Sequence, residues 1–167
     1  MVDANPHIQR GHPIFFGLLT LFALIEGCVT SWLVSRYNDH DTYPSHSYRD
    51  RLKFLVFVSW WTFVFSAGYI AAFLLAYESF FSTIASHLGW IALTWILWLA
   101  GAASFTAANG GGHSCSNSSL IYCNQLEATE AFAWIEWILI TLMFGATAAI
   151  AFMSVRRGDR LTGPLGV

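Results

Sequence analysis

Four long apolar stretches constrain this chain more than any other feature. Residues 14–35, 54–77, 88–108 and 131–153 each approach or exceed the roughly 20 residues a helix needs to cross a hydrocarbon core. The second and third carry no charge. The first carries only Glu26 and the fourth only Glu136. Pro6, Pro13, Pro44 and Pro164 all lie outside them, which suits unbroken helices, because proline inside a span leaves a carbonyl unpaired. Barrel strands would read as alternating segments of about ten residues, and nothing here alternates in that way. The expected fold is all-α: an integral membrane four-helix bundle, one domain over 1–167, with an N-terminal arm 1–13 and a tail 154–167.

Composition enters as a check. Charged residues make up 11% of the 167 and apolar residues 56%, whereas a soluble domain carries about a quarter charged residues. Such a chain cannot cover a normal water-facing surface. The net charge of −2 offers nothing to a nucleic-acid backbone. The first apolar run is too long for the h-region of a signal peptide and ends in no small-x-small cleavage site, so it reads as a retained helix.

Missing residue types narrow the chemistry. Lys53 is the sole lysine and sits at the border of the second span, so a retinal Schiff base has no partner. The histidines, His7, His12, His40, His46, His87 and His113, fall in arms and loops, where they cannot clasp a haem between helices. His113, Cys115 and Cys123 match no common zinc spacing. The run Ala-Asn-Gly-Gly-Gly at 108–112 ends the third helix and lacks the lysine of a phosphate cradle. No catalytic residue, metal site or cofactor is expected.

An even number of spans puts both termini on one side. The positive-inside count does not choose the side: Arg10, Arg156, Arg157 and Arg160 stand against Arg36, Arg49, Arg51 and Lys53. Asn117-Ser118-Ser119 is a glycosylation sequon, used on the lumenal side. Cys115 and Cys123 bracket it, and a pair within one loop is most simply a disulfide, which needs an oxidising compartment. Together they place loops 36–53 and 109–130 outside and both termini in the cytoplasm. The setting expected is the plasma membrane or the secretory pathway.

Intramembrane acids are functional hypotheses by default, because a charge there costs several kcal/mol. Glu26 lies about 14 Å and Glu136 about 8 Å below the outer ends of their spans at 1.5 Å per residue. One reading is a relay for protons or cations. The other has Glu26 neutral or bonded to the Thr30 hydroxyl, and Glu136 reaching water or a snorkelling Lys53 or Arg51; no polar ladder runs to the other face. Small residues recur four apart at Gly27 and Ser31, Gly68 and Ala72, and Gly145 and Ala149, a spacing that lets helix backbones approach, within the bundle or between subunits. A helical wheel puts Glu136 opposite Gly145. Trp32, Trp90 and Trp134 fall near span ends, where indoles favour the interface. Trp60, Trp61, Trp95 and Trp98 are deeper and fill gaps or face acyl chains. Cys28 reads as a packing residue, Asn124 with Glu127 as the cap of the fourth helix, and Arg51, Phe54 and Val56 as a proposed cholesterol pattern.

Several segments together resemble a known family. They are Arg51-Leu-Lys-Phe-Leu-Val-Phe-Val-Ser-Trp-Trp-Thr-Phe, Leu93-Thr-Trp-Ile-Leu-Trp-Leu-Ala-Gly-Ala, the Cys115 and Cys123 pair, and Glu130-Ala-Phe-Ala-Trp-Ile-Glu-Trp. In order and spacing the chain resembles fungal MARVEL-domain proteins over about residues 12 to 155. The resemblance implies a four-helix membrane domain with cytoplasmic termini and a disulfide-bearing outer loop. It implies a part in membrane apposition, lipid-domain organisation and vesicle traffic, and no catalytic residues. The expected partners are membrane lipids, sterol included, further copies of the chain, or other membrane proteins. Two alternatives stand beside a non-enzymatic organiser: an accessory subunit of a larger membrane complex, and a small channel or proton-coupled transporter using Glu26 and Glu136.

Overall fold

The computed structural model describes residues 6–75, 84–111, 115 and 121–156. They form four helices: α1 Pro6–His40, α2 His46–Leu75, α3 Ile84–Ala108 and α4 Cys123–Arg156. Each contains a stretch long and apolar enough to cross a membrane. The helices form a ring, with α1 and α3 each packing on both α2 and α4. One end of the bundle carries the Cys115–Cys123 disulfide; the opposite end carries the starts of α1 and α3.

One spacing builds the core. Phe16, Leu19, Ala23, Glu26, Thr30, Leu33 and Tyr37 are buried along α1, and Leu126, Thr129, Ala133, Glu136, Ile140, Met143 and Thr147 along α4. Steps of three and four residues draw a narrow inward seam, the pattern of nearly antiparallel bundles. In α2 it runs through Tyr48, Leu52, Leu55, Ser59, Thr62, Ser66 and Tyr69. Only 29–33% of each spanning window is buried, so most positions face outward. Those positions are apolar, with Ile14, Val64, Ile96 and Leu142 among the most exposed. A helix apolar on every side is what hydrocarbon requires.

All four helices overrun the apolar stretches. The first connection shrinks from the expected 36–53 to 41–45, and the third from 109–130 to 109–122. The seam continues past the apolar limit through Tyr37, Tyr48 and Leu126, each buried, while their outward neighbours turn polar. Counting apolar residues finds the lipid-facing length and misses the packed ends. Pro13 lies within α1, outside the apolar stretch as expected.

The helix ends are stopped by local chemistry. Asp41 takes a left-handed φ of 48°, and the Thr42 N–H reaches back to the Tyr37 carbonyl at 3.3 Å. Ser45 then caps α2, its Oγ accepting the Tyr48 N–H at 3.1 Å, as a serine N-cap does. At the end of α3, Gly110 and Gly111 adopt φ of 79° and 87°. Gly111 N–H bonds to Thr106 O at 3.0 Å and Gly110 N–H to Ala107 O at 3.4 Å, the paired bonds of a Schellman stop. The start of α4 differs from the expected Asn124 cap. The Tyr122 carbonyl accepts the N–H groups of Gln125 and Leu126, which leaves Asn124 inside the first turn.

Candidate functional site

Three arrangements inside the bundle carry side-chain chemistry. The first is a set of indole–hydroxyl bonds between helices. Trp60 donates to Ser31 Oγ at 3.1 Å, Trp61 to Thr94 at 3.3 Å, Trp98 to Thr62 at 2.9 Å, Trp95 to Thr141 at 2.8 Å and Trp134 to Thr106 at 3.0 Å. Every adjacent pair except α1–α4 is joined in this way. Hydrocarbon offers an indole N–H no partner, so the hydroxyl on the next helix supplies it. The deep tryptophans therefore do more than fill gaps. The signal that would have found them is a serine or threonine at matching depth on the neighbouring span.

The second lies at the disulfide end. Tyr37 donates to the Ile121 carbonyl at 2.6 Å. Its ring packs on Tyr43, Tyr48 and Tyr122. Tyr122 holds a left-handed φ of 63°, which costs a tyrosine about 1–2 kcal/mol. It is held between Tyr37, Trp32 and the neighbouring Cys115–Cys123 disulfide. Asn109 bridges three helices: its Oδ1 accepts from the Tyr48 hydroxyl at 2.9 Å, and its Nδ2 donates to Glu130 Oε2 at 2.8 Å. Tyr43, in the connection, donates to Val34 O at 3.1 Å; burial raises its phenol above the usual range, partly offset by Arg49. Arg51 donates to the Ser104 carbonyl at 2.8 Å. One of its five N–H donors is thereby tied to α3.

The third is the pair of acids. Glu26 and Glu136 are both 0% exposed, and none of their carboxyl oxygens has a hydrogen-bond partner among the described residues. This corrects two expectations. Thr30 spends its hydroxyl on the backbone carbonyls of Glu26 and Gly27 and not on the carboxyl, because a threonine one turn on reaches the i−4 carbonyl first. Glu136 is fully buried and meets neither Lys53 nor Arg51, because the α4 seam turns it inward. The bundle interior is also more polar than expected. Ser59, Thr62, Ser66, Thr94, Thr129 and Thr147 are buried at successive depths, and Thr20 donates to Ser66 at 2.8 Å.

The small residues divide. Gly27 lies against Trp60, where an added Cβ would come within 3.4 Å of the ring, and Ser31 accepts that indole's N–H. Gly68, Gly145 and Ala149 face outward, and a Cβ built on Gly68 or Gly145 meets nothing within 4 Å. Those outward positions do not pack the protomer's own bundle, which corrects the intramolecular reading for them. The wheel placing Glu136 opposite Gly145 agrees with their burial. Cys28 is exposed and is not a packing residue. The side chain of Ala72 and the whole of Asn117 and His113 lie outside the described residues. Among the described residues, no three His, Cys, Asp or Glu side chains gather as for a metal ion.

Comparison with known families matches residues 10–150 to the MARVEL membrane-associating domain. No significant match is found among curated proteins or solved structures. The family is one of four-span membrane domains, and the four apolar helices and disulfide-bearing loop found here fit that plan. With the match running from the start of α1 almost to the end of α4, this integral membrane protein belongs to the MARVEL family.

Proposed function

We propose that this protein organises membrane without chemistry of its own. It associates with further copies of itself or with other membrane proteins, and with the surrounding lipid, in lipid-domain organisation, membrane apposition or vesicle traffic. Membership of a membrane-associating family supports the general role. The observation that carries association is the outward small-residue face of α4. Gly145 and Ala149 stand one turn apart with open space over Gly145, a surface on which a second helix can approach closely. The loop disulfide favours an oxidising compartment at that end, hence cytoplasmic termini and a plasma-membrane or secretory-pathway setting.

Native mass spectrometry of the full chain in mild detergent tests this. The expected result is a dimer or larger assembly, or a co-purifying membrane protein, either one lost on Gly145→Leu. A Cβ at this exposed position meets nothing within 4 Å, so the variant is expected to fold, which its unfolding in detergent checks. A bare monomer in every lipid and detergent tried would overturn the reading.

A further inference from the structure

The α1–α4 seam has a measurable register. Rings meet at Trp32 with Tyr122, centroids 5.2 Å apart, and at Phe22 with Phe132, 6.0 Å apart. Ten residues down α1 therefore match ten residues along α4. In that register Glu26 stands level with Ala128. Glu136 lies about eight residues further from the disulfide end, about 12 Å along the axis. Between those levels the inward positions of the seam are Leu19 and Ala23 on α1 and Thr129 and Ala133 on α4, all buried. The Thr129 hydroxyl, also fully buried, has no hydrogen-bond partner among the described residues and lies one residue from the level of Glu26.

No charged group of this chain answers these carboxylates among the described residues. Facing them, α2 contributes Ser59, Thr62 and Ser66, and α3 contributes Thr94. The bordering titratable groups are Tyr48 and Glu130, both bonded to Asn109 at the disulfide end, and Tyr69 and His87, packed with Phe16 at the other. Arg51 is engaged with Ser104, and Lys53 is exposed. A bare carboxylate buried without a paired cation is costly, and no cationic side chain among the described residues meets either acid. The α1–α4 seam is also the one adjacent pair lacking an indole–hydroxyl bond among those described above.

We propose that Glu26 and Glu136 each bind a proton within the membrane, and that these bound protons hold α1 against α4. Release of a proton leaves a carboxylate in the seam and drives the two helices apart to admit water. The inference does not depend on the association surface of α4, which lies on the opposite face from Glu136.

Carbodiimide labelling of the full chain in lipid nanodiscs tests it. Dicyclohexylcarbodiimide partitions into lipid and adds to the protonated acid, forming a stable N-acylurea that mass spectrometry assigns to a residue. The expected result, with labelling followed from about pH 5 to about pH 9, is modification at Glu26 and Glu136 at a rate that falls as pH rises. Over the same range, amide hydrogen exchange in the α1–α4 seam rises in the native chain. It stays low in the Glu26→Gln, Glu136→Gln double variant, which imitates the neutral pair. If that variant does not fold, labelling of the native chain decides alone. Equal rates at both pH limits, or no label at either residue, would overturn the proposal. Protection by sodium or calcium at constant pH, absent with choline, would also overturn it by identifying the ligand as a metal cation.

Discussion

The Trp98–Thr62 bond offers the most direct test of what holds the bundle together. Both side chains are 0% exposed and the indole N–H lies 2.9 Å from Thr62 Oγ1. Thr62→Val keeps the shape and removes the acceptor, leaving a buried N–H unpaired at a cost of about 1–3 kcal/mol. Trp98→Phe removes the donor and part of a packed ring. The hydrogen bond itself contributes about 0.6 kcal/mol on average between membrane helices and about 1.7 kcal/mol at most. Neither group here reaches water or headgroups as an alternative partner, so the expected coupling falls in the upper half of that range, about 1–1.7 kcal/mol. The assay is a double-mutant cycle, with unfolding followed in mixed micelles of mild detergent and sodium dodecyl sulfate. Packing losses cancel in the cycle and the bond remains. Thr62→Val combined with Trp95→Phe is the control, since Trp95 bonds to Thr141 on α4 instead; that pair should be additive to within about 0.5 kcal/mol. If the Trp98–Thr62 cycle is equally additive, indole–hydroxyl bonds do not hold these helices together.

Two further outcomes follow from the disulfide end. Asn109→Ala removes the acceptor of Tyr48 and the donor to Glu130, two bonds of which one is charge-assisted, and should cost about 2–4 kcal/mol in the same titration; an effect below about 0.5 kcal/mol would mean the bridge is dispensable. Replacing Cys115 and Cys123 by serine opens a loop of sequence separation 8, for which chain entropy gives about 2.5 kcal/mol. Protease sensitivity of the segment between α3 and α4 should rise with it, and unchanged cleavage would refute a tethering role.

The four spans, their order and the loop disulfide were legible in the sequence because hydrocarbon imposes its rule residue by residue. Every position facing lipid must be apolar, and length follows from thickness. The same rule explains the misreading of the helix ends. Beyond the apolar limit the outward side turns polar while Tyr37, Tyr48 and Leu126 stay buried, so composition signals a loop where the backbone is still helical. Cys28 and Glu136 show the other limit. Each reads alone as plausible inside or outside, and the seam's three-and-four spacing turns one out and the other in.

Pairing between helices could not be read along the chain. Thr62 and Trp98 are 36 positions apart, and their bond exists because the ring of helices brings two depths together. Asn109 ends α3 through its backbone in any helix that stops there, yet it joins Tyr48 to Glu130 only once three helices meet. The sequence by itself determined that this chain lives in a membrane, since solvation is a property of each residue's surroundings averaged over a span. Only the tertiary structure decided that Glu26 and Glu136 have no partner among the described residues, because a missing neighbour can be known only when the helices that could supply one are in place.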